Sequence, residues 1–303
     1  PVSLTLFHKF RSKYLKTSWH EYTKHDLMNG KFPFFDVYMT GSDQVWNCKF
    51  TQGDSNFLLK FAPKDSPRLS YGASFASPSI PKEYEHIFKE ELPKYSSILV
   101  REHSGVDIVK NLIGKNAEVV CDPTLLLTKT DYHVLATKSK LFIPEPFILV
   151  YILDYMYNPY PKVYDIIRKV KKELGLKVVY IGTDAPDPMD NNYSYVGGQI
   201  GPLEFLWLME NTSFVITTSF HGTAFATIFH KPLFSVVQAT ENEDGRMQTL
   251  LRGLKQEKSL VAYNKELDVD LIHSDEIITK EERLDVIRMH SEELLVNSLK
   301  NIG

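Results

Sequence analysis

The stretch Val215-Ile216-Thr217-Thr218-Ser219-Phe220-His221-Gly222-Thr223-Ala224-Phe225-Ala226 decides the fold class of this chain. Its first residues are β-branched and apolar, so residues 213–217 are predicted to form a buried strand. The small residues of 222–229 then predict a helix that packs tightly on a sheet. A strand that turns directly into such a helix is typical of α/β proteins.

The turn between this strand and this helix has the properties of an anion site. A helix N-terminus presents backbone N–H groups and the positive end of the helix dipole, and both favour an anion. His221 adds a side chain that titrates near neutral pH. The sequence therefore predicts an anionic substrate beside His221, and the alternative is a histidine that only hydrogen-bonds within the fold.

Composition excludes several classes of protein. The chain has 303 residues, 43% hydrophobic and 24% charged, which is long enough for two globular domains. Its net charge of −3 offers no basic field for nucleic acid. Cys48 and Cys121 lack zinc-site spacing and indicate a reducing cytoplasm. No apolar run reaches the roughly 20 residues of a spanning helix, so any membrane association is expected to be peripheral, at the inner face.

The start of the chain is basic and aromatic, and it carries no methionine. We expect an upstream strand and a glycine-rich loop to precede it. The first 30 residues then have two interpretations: contact with an anionic ligand, a saccharide or a membrane surface, or a solvated helix whose aromatic side chains anchor one face.

Strands and helices alternate along the chain, which predicts two α/β domains. Pro144 and Pro146 mark a break, so we divide the chain into residues 1–143, residues 144–275, and a helical segment 276–303 that packs back on the first domain. Parallel strands bring their carboxyl ends to one edge of a sheet. The residues expected at these edges are Ser42, Asp43, Gln44, Ser74 and Arg101 in the first domain, and Thr183, Asp184, Ser219 and His221 in the second.

Five motifs occur in a fixed order along the chain. They are Gly41-Ser42-Asp43-Gln44-Val45-Trp46-Asn47, Ser70-Tyr71-Gly72-Ala73-Ser74, Val100-Arg101-Glu102-His103-Ser104-Gly105, Cys121-Asp122-Pro123-Thr124 and Ser219-Phe220-His221-Gly222-Thr223-Ala224. In order and spacing they resemble the polysaccharide pyruvyl transferase family. The resemblance covers most of the chain, from about residue 35 to residue 254, and is specific because five separate motifs agree.

The resemblance implies two Rossmann-like domains facing across a cleft, similar to the glycosyltransferase-B architecture. It implies an enzyme that transfers a pyruvyl group from phosphoenolpyruvate to hydroxyls of a saccharide in polysaccharide biosynthesis, with phosphoenolpyruvate as donor substrate and no cofactor. The first domain would be the acceptor side and the second the donor side. The acceptor could be lipid-linked or nucleotide-linked. No metal is predicted, because Asp268 and Asp270, despite their Asp-x-Asp spacing, fit a charged surface loop better.

The residues fit this chemistry. Arg101 and His221 are the predicted catalytic residues, with His221 as the acid or base. Donor binding is assigned to Arg101, Ser219, Phe220, His221, Gly222 and Arg246, and acceptor binding to Ser42, Asp43, Gln44, Trp46, Asn47 and Ser74. Several of these have structural alternatives: Arg101 in a surface ion pair with Glu102 or Glu118, Asp43 as a helix cap, and Trp46 in the core. Arg246 likewise has a purely structural alternative.

The last motif departs from one version of the family pattern, Arg-Leu-His, in which the arginine binds the anionic groups of the donor. Ser219 stands at that position here. Either Arg246 supplies the missing charge, or the donor is not phosphoenolpyruvate. A glycosyltransferase that uses a sugar nucleotide and a non-catalytic saccharide-binding relative both stay open.

Overall fold

The computed structural model describes residues 2–18, 20–154, 157–182, 187–196, 199–239 and 245–302. Within these ranges the strands are β1 (Tyr38–Thr40), β2 (Arg68–Ala73), β3 (Ser97–Val100), β4 (Glu118–Val119), β5 (Phe147–Ile152), β6 (Lys177–Gly182), β7 (Tyr193–Tyr195), β8 (Phe214–Thr217), β9 (Leu233–Val237) and β10 (Leu260–Ala262). The α-helices are α1 (Val2–Tyr14), α2 (Lys24–Met28), α3 (Cys48–Thr51), α4 (Lys82–Glu91), α5 (His103–Ile113), α6 (Lys129–Ala136), α7 (Val163–Leu174), α8 (Pro202–Asn211), α9 (Phe220–Ile228), α10 (Arg246–Gly253) and α11 (Glu281–Lys300).

The chain forms two compact units, each built on one parallel sheet. The small-sheet unit comprises Ser18–Leu126, Glu243–Thr249 and Asp285–Gly303, and the large-sheet unit comprises Pro1–Thr17, Leu127–Asn242 and Leu250–Leu284. This division differs from the predicted 1–143, 144–275 and 276–303. The boundary falls before α6 because that helix packs on α8 of the large-sheet unit, so the prolines at 144 and 146 mark a loop inside that unit.

The small sheet has the strand order β1-β2-β3-β4, and every neighbouring pair is parallel. Successive residues of β3 point to opposite faces, as in any strand. Val100 shares a core with Phe88 of α4 on one face. Leu99 lies in a second core on the other face, where Leu294 of α11 packs against it. Helices therefore cover both faces of this sheet.

The large sheet has the order β10-β9-β8-β5-β6-β7 and is parallel throughout. Counted from β5, this is the doubly wound order of dinucleotide-binding folds. The strands β5 and β8 are its central pair, and Ile148 to Val150 of β5 are completely buried, as expected where helices cover both faces. The prediction of an α/β protein with two parallel-sheet regions is confirmed.

The ends of two helices show how far local sequence signals predict the element bounds. Gly114, for example, ends α5 in the left-handed conformation at φ 70°, which glycine adopts without strain. The helix of the last motif differs from expectation, because α9 begins at Phe220 rather than Gly222. The reason is Ser219, whose side chain caps the helix and lets the two following residues enter its first turn.

Candidate functional site

Polar residues from four strand ends meet at the carboxyl edge of the small sheet. Because the strands are parallel, the turns after them lie on the same side. Ser42 and Asp43 follow β1, Ser74 follows β2, Arg101 follows β3, and Asp122 lies just beyond β4. The first four of these were predicted to share an edge.

Gly41 lets the chain leave β1 close to its neighbour. Its φ is +116°, a conformation that side chains rarely adopt, and a Cβ here would overlap the carbonyl oxygen of Tyr71 on β2. The turn that follows stays attached to β2, because Asp43 bridges Ala73 and accepts a backbone hydrogen bond from Ser74. The carboxylate of Asp43 is thereby held at the sheet edge.

Alternating charges form the centre of this edge, and we call Asp43, Arg101, Asp122 and Arg246 the charge cluster. The Arg101 guanidinium donates to Asp122 Oδ2 from Nη1 at 2.5 Å and to Asp43 Oδ1 from Nη2 at 3.0 Å. Arg246 Nη1 lies 3.5 Å from the same oxygen of Asp43. The Arg101 side chain is 1% exposed, that of Asp122 2%, and that of Asp43 58%. Asp43 is therefore the carboxylate of the cluster that reaches solvent.

Asp122 is fixed by neutral donors as well as by Arg101. Ser42 Oγ lies 2.8 Å from Asp122 Oδ2, and Thr124 donates to Oδ1 from its hydroxyl at 2.7 Å and its backbone N–H at 3.0 Å. A buried carboxylate needs such a complete set of partners. The Cys121-Asp122-Pro123-Thr124 motif thus supplies the anchor for Arg101, a role that was not assigned from the sequence.

Gln44 and Asn47 extend the cluster toward α3. With its side-chain oxygen turned to Arg246, Gln44 accepts hydrogen bonds from the guanidinium at 3.2 and 3.3 Å. Asn47 is buried and caps α3, its side chain accepting from the backbone N–H of Lys49 at 3.0 Å. Gln44 is half-buried and remains placed to reach a ligand, whereas Asn47 is mainly a helix cap.

Two further predicted acceptor-binding side chains, Trp46 and Ser74, are also buried. Trp46 is 1% exposed, its Nε1 donates to the carbonyl of Phe57, and its ring packs against Phe75 and Tyr95. Its ring faces are not available to stack on a sugar, so the core alternative was right. Ser74 is fully buried, and its hydroxyl bonds to Glu102 at 3.0 Å.

Glu102 is a buried carboxyl that sequence reasoning missed. Its Oε1 accepts from the Ser74 hydroxyl and from the backbone N–H groups of Phe75 at 2.8 Å and Ala76 at 3.1 Å. Its Oε2 is buried without a hydrogen-bond partner among the described residues. Burial raises the pKa of Glu102, and these hydrogen bonds together with the Arg101 charge only partly offset the shift. The available signal was a charged residue two positions after the end of a predicted strand.

Arg101 does not form the surface ion pair considered from the sequence. It is buried rather than exposed, and the carboxylates that bond to its terminal nitrogens are Asp122 and Asp43, not Glu102 or Glu118. With two carboxylates already bonded, its charge is largely neutralised inside the cluster. The geometry therefore supports Arg101 as a residue that positions Asp43, rather than one that contacts an incoming anion directly.

The predicted anion turn lies in the large-sheet unit, where β8 meets α9. Ser219 Oγ accepts the Gly222 N–H at 3.3 Å, and Thr217 Oγ1 accepts the Ser219 N–H at 3.0 Å. Two N–H groups of the turn are therefore satisfied internally, so fewer are available to an anion than the sequence suggested. Ser219, Phe220 and Gly222 are buried, and His221 alone of these four is half-exposed.

Gly222 explains how closely this helix approaches its strand. A Cβ at Gly222 would overlap Thr217 Oγ1, whose hydroxyl also donates to the carbonyl of Tyr151 on β5 at 2.7 Å. The absence of a side chain thus lets α9 start directly against β8 and β5. Gly222 serves packing, and His221 projects from the first turn of the helix.

The position of His221 in the large sheet is the one where ligands usually bind. The strand order reverses between β5 and β8, which are adjacent. In open α/β sheets, ligands bind outside the carboxyl ends of the strands at such a switch point. Thr183 and Asp184, also predicted for this edge, lie outside the described residues.

The described residues were compared with the requirements of a metal site and of a membrane-spanning helix. No group of three or more His, Cys, Asp or Glu side chains there could hold a metal ion. Asp268 caps a short 3-10 helix and accepts the backbone N–H of Asp270, so this Asp-x-Asp pair has a local structural role. None of the helices that the structure describes is long and apolar enough to cross a bilayer.

A family comparison adds the decisive observation to this geometry. The sequence model of the polysaccharide pyruvyl transferase family matches residues 2–238, most of the chain and all five motifs. The chain belongs to the polysaccharide pyruvyl transferase family. This is a transferase family, so the broad prediction of a transferase in polysaccharide biosynthesis is supported. A search of curated protein sequences gives no significant match.

Two solved structures with a similar fold contain UDP or UDP-GlcNAc. A Staphylococcus aureus MnaA structure with UDP has a TM-score of 0.51 and 14% identity, covering 88% of this chain and 77% of that one. A UDP-GlcNAc 2-epimerase from Neisseria meningitidis bound to UDP-GlcNAc has a TM-score of 0.50 and 12% identity, covering 87% and 76%. At such low identity the likeness concerns the fold alone, which is glycosyltransferase-B-like.

Within this pyruvyl transferase family member, the predicted site residues fall into two groups. Ser42, Asp43, Gln44, Arg101 and Arg246 converge in the small-sheet unit. Ser219 to Gly222 form the α9 turn of the large-sheet unit. Arg246, one of the two explanations offered for the missing donor arginine, contacts Asp43 and Gln44 in the small-sheet unit. Ser219 itself has become a helix cap.

Proposed function

We propose that this protein transfers a pyruvyl group from phosphoenolpyruvate to hydroxyls of a saccharide during the synthesis of a surface polysaccharide. Family membership supports the reaction class. The observation that carries the proposal is the position of His221, half-exposed in the first turn of α9 at the switch point of the large sheet. A cytoplasmic setting stays a prediction.

His221 suits the proton transfers of this reaction. To form a cyclic ketal, two sugar hydroxyls add to the enol carbon of the donor, and the bond from that carbon to the phosphate oxygen breaks. Of the two hydroxyl protons, one ends on the methylene carbon, which becomes a methyl group, and the other leaves with phosphate. An imidazole can carry a proton from the hydroxyl to the carbon, because it titrates near neutral pH.

The α9 turn is the proposed donor site. The positive end of the helix dipole lies at this turn and favours the carboxylate and phosphate of phosphoenolpyruvate. Ser219 and Gly222 shape the turn through their capping hydrogen bond at 3.3 Å, and the buried Phe220 supports it from the core. A protonated His221 would add the cation that the serine at position 219 cannot provide.

Asp43 is the proposed contact for the acceptor. Its carboxylate is 58% exposed yet held by Arg101 at 3.0 Å, so it is both accessible and fixed in direction. Carboxylate oxygens accept hydrogen bonds from sugar hydroxyls. Ser42 and Gln44 flank it, and Arg246 restrains it from another side at 3.5 Å. The acceptor would be a saccharide, lipid-linked or nucleotide-linked.

A sugar-nucleotide donor is the second candidate. The doubly wound order of the large sheet is the order in which nucleotides bind at the switch point. The Ser219 departure also removes the arginine that the first candidate would use. In this case the α9 turn would hold a diphosphate, and the enzyme would transfer a sugar.

Calorimetric titration separates the two candidates. The protein is titrated with phosphoenolpyruvate and, separately, with UDP, at neutral pH. We expect binding of phosphoenolpyruvate that weakens in His221→Ala, and no binding of UDP. Binding of UDP without binding of phosphoenolpyruvate would replace pyruvyl transfer with glycosyl transfer.

A further inference from the structure

A cavity of about 410 Å³ opens in the small-sheet unit between α3 and the loop that joins β2 to α4. This size falls within the range of small-molecule sites. The cavity lies at the carboxyl edge of the sheet, because α3 follows β1 and the loop follows β2. None of the reaction steps above uses it.

The lining of the cavity combines an apolar wall with planar and hydroxyl-bearing side chains. Trp46 and Phe75 border the cavity on the side of the core, where both are about 1% exposed, and the partly exposed Ile80 and Tyr84 supply its accessible apolar surface. The uncharged amide and hydroxyl side chains of the lining are those of Asn47, Gln52, Ser77, Ser79 and Tyr84. Amides and hydroxyls both donate and accept hydrogen bonds, which is what a ring of sugar hydroxyls requires.

The charge of the lining favours a neutral ligand. Lys49 and Glu83 are the charged residues of the lining, and their charges are opposite. The charge cluster beside the cavity, in contrast, is made of two arginines and two aspartates. Because these two charges offset each other, the cavity has no net charge that would attract an ionic ligand. A neutral polyol can instead hydrogen-bond to both Lys49 and Glu83.

The cavity is connected to Asp43 through short, rigid contacts. Asn47 lines the cavity and lies 2.7 Å from the side chain of Gln44, the residue after Asp43. Ser74 joins the turn after β2 to the turn after β1. Its backbone N–H donates to the Asp43 carbonyl, and its carbonyl accepts from the backbone N–H of Trp46. A ligand in the cavity would therefore lie against the same turn that presents the Asp43 carboxylate.

We propose that this cavity binds one neutral sugar residue of the acceptor, with Gln52 and Ser79 contacting its hydroxyls and the partly exposed Ile80 and Tyr84 its apolar face. The proposal rests on the proposed function in that it identifies the ligand as the acceptor. The cavity would then determine which acceptor is used. A sugar that lacks a hydroxyl to which the cavity hydrogen-bonds should bind much more weakly.

Two variants test the cavity without disturbing the core. Ser79→Phe places a ring in the cavity from an exposed loop position. Gln52→Gly removes the amide, and glycine fits because Gln52 has a positive φ of 50°. Ser12→Phe, the same change at an exposed serine of α1, is the matched control. Each is titrated by calorimetry with the methyl glycosides of galactose, glucose, mannose and N-acetylglucosamine, and with phosphoenolpyruvate.

We expect the unmodified protein and Ser12→Phe to bind at least one glycoside, with affinity at least about tenfold lower in Ser79→Phe and Gln52→Gly. Phosphoenolpyruvate binding should be equal in all four proteins. Absence of glycoside binding to the unmodified protein, or equal binding by all variants, would overturn the cavity assignment. Glycoside binding without phosphoenolpyruvate binding would leave the cavity standing and remove the pyruvyl donor, so the two failures are distinguishable.

Discussion

The Arg101 guanidinium lies 2.5 Å from Asp122 Oδ2, and both side chains are at most 2% exposed. This buried pair links the ends of β3 and β4. The second terminal nitrogen of Arg101 reaches outward to Asp43 at 3.0 Å. The exposed carboxylate of Asp43 is therefore held in place by the guanidinium of Arg101, and the buried carboxylate of Asp122 holds Arg101 in turn.

Arg101→Ala should destabilise the fold. It leaves Asp122 as a buried carboxylate without its cation, and breaking such a pair costs about 3–5 kcal/mol. Urea denaturation measures the loss, with Arg11→Ala in the exposed part of α1 as the control that should change little. A loss below about 1 kcal/mol would mean that Arg101 is not structural and would revive its predicted contact with the donor.

Gly222→Ala and an alanine at Gly114 should cost comparable stability, but only Gly222→Ala should displace the α9 turn. The new methyl group would overlap Thr217 Oγ1, so the first turn of α9 must move away from β8. Overpacking of this kind costs about 1–3 kcal/mol. Gly114 has φ 70° and open space around it, so alanine there adds only backbone strain of about 1–2 kcal/mol.

Thermal and urea unfolding of the two alanine variants provide the comparison. Gly222→Ala should also weaken phosphoenolpyruvate binding, because His221 moves with the turn, whereas Gly114→Ala should bind normally. Equal donor binding by the two variants would show that the α9 turn is not the donor site.

Glu102→Gln should change how stability depends on pH. Burial raises the pKa of Glu102 above its ordinary value near 4.5, so between the unfolded and folded pKa values the unfolded chain holds fewer protons. Stability of the unmodified protein therefore falls as the pH rises through that window. Glutamine keeps an acceptor oxygen for the three hydrogen bonds but cannot ionise, so the variant lacks this fall.

The measurement is urea unfolding of both proteins at several pH values from 4.5 upward. The free energy of unfolding of the glutamine variant should rise relative to the unmodified protein as pH increases. Two parallel pH profiles would show that Glu102 ionises as easily in the folded protein as in the unfolded chain.

Asp43→Asn should weaken binding of the acceptor saccharide without changing binding of phosphoenolpyruvate. The amide keeps the size of the side chain but removes the charge that Arg101 and Arg246 hold, and it offers one acceptor oxygen in place of two. We expect an increase in the acceptor KM and unchanged phosphoenolpyruvate affinity. A lower donor affinity instead would assign Asp43 to the donor side of the reaction.

Much of the fold follows from the sequence, because local signals are strong in a parallel α/β protein. Apolar runs such as 147–152 identify buried strands, and Gly114 ends a helix where its φ requires glycine. The unit boundary was wrong because it depends on tertiary packing: α6 lies on α8, and no local signal of α6 reports that contact.

The candidate site was foreseen as a set of residues but not as a set of contacts. Strand-end positions correctly brought Ser42, Asp43 and Arg101 to one edge. Which charge pairs with which depends on register between strands that are distant in sequence, so the Arg101–Asp122 pair was missed. Burial also decides the role of Trp46. From the sequence, an aromatic residue in a motif can either stack on a sugar or pack in the core, and at 1% exposure Trp46 packs in the core.

The central claim is that His221 exchanges a proton while its helix turn holds phosphoenolpyruvate. A bound phosphate dianion stabilises the imidazolium form, so donor binding should draw a proton from solvent. Calorimetric titration with phosphoenolpyruvate in two buffers of different ionisation enthalpy, near neutral pH, measures this uptake directly. The account predicts proton uptake by the unmodified protein and its loss in a folded His221→Gln variant. Equal affinity and equal proton uptake in the two proteins would contradict it.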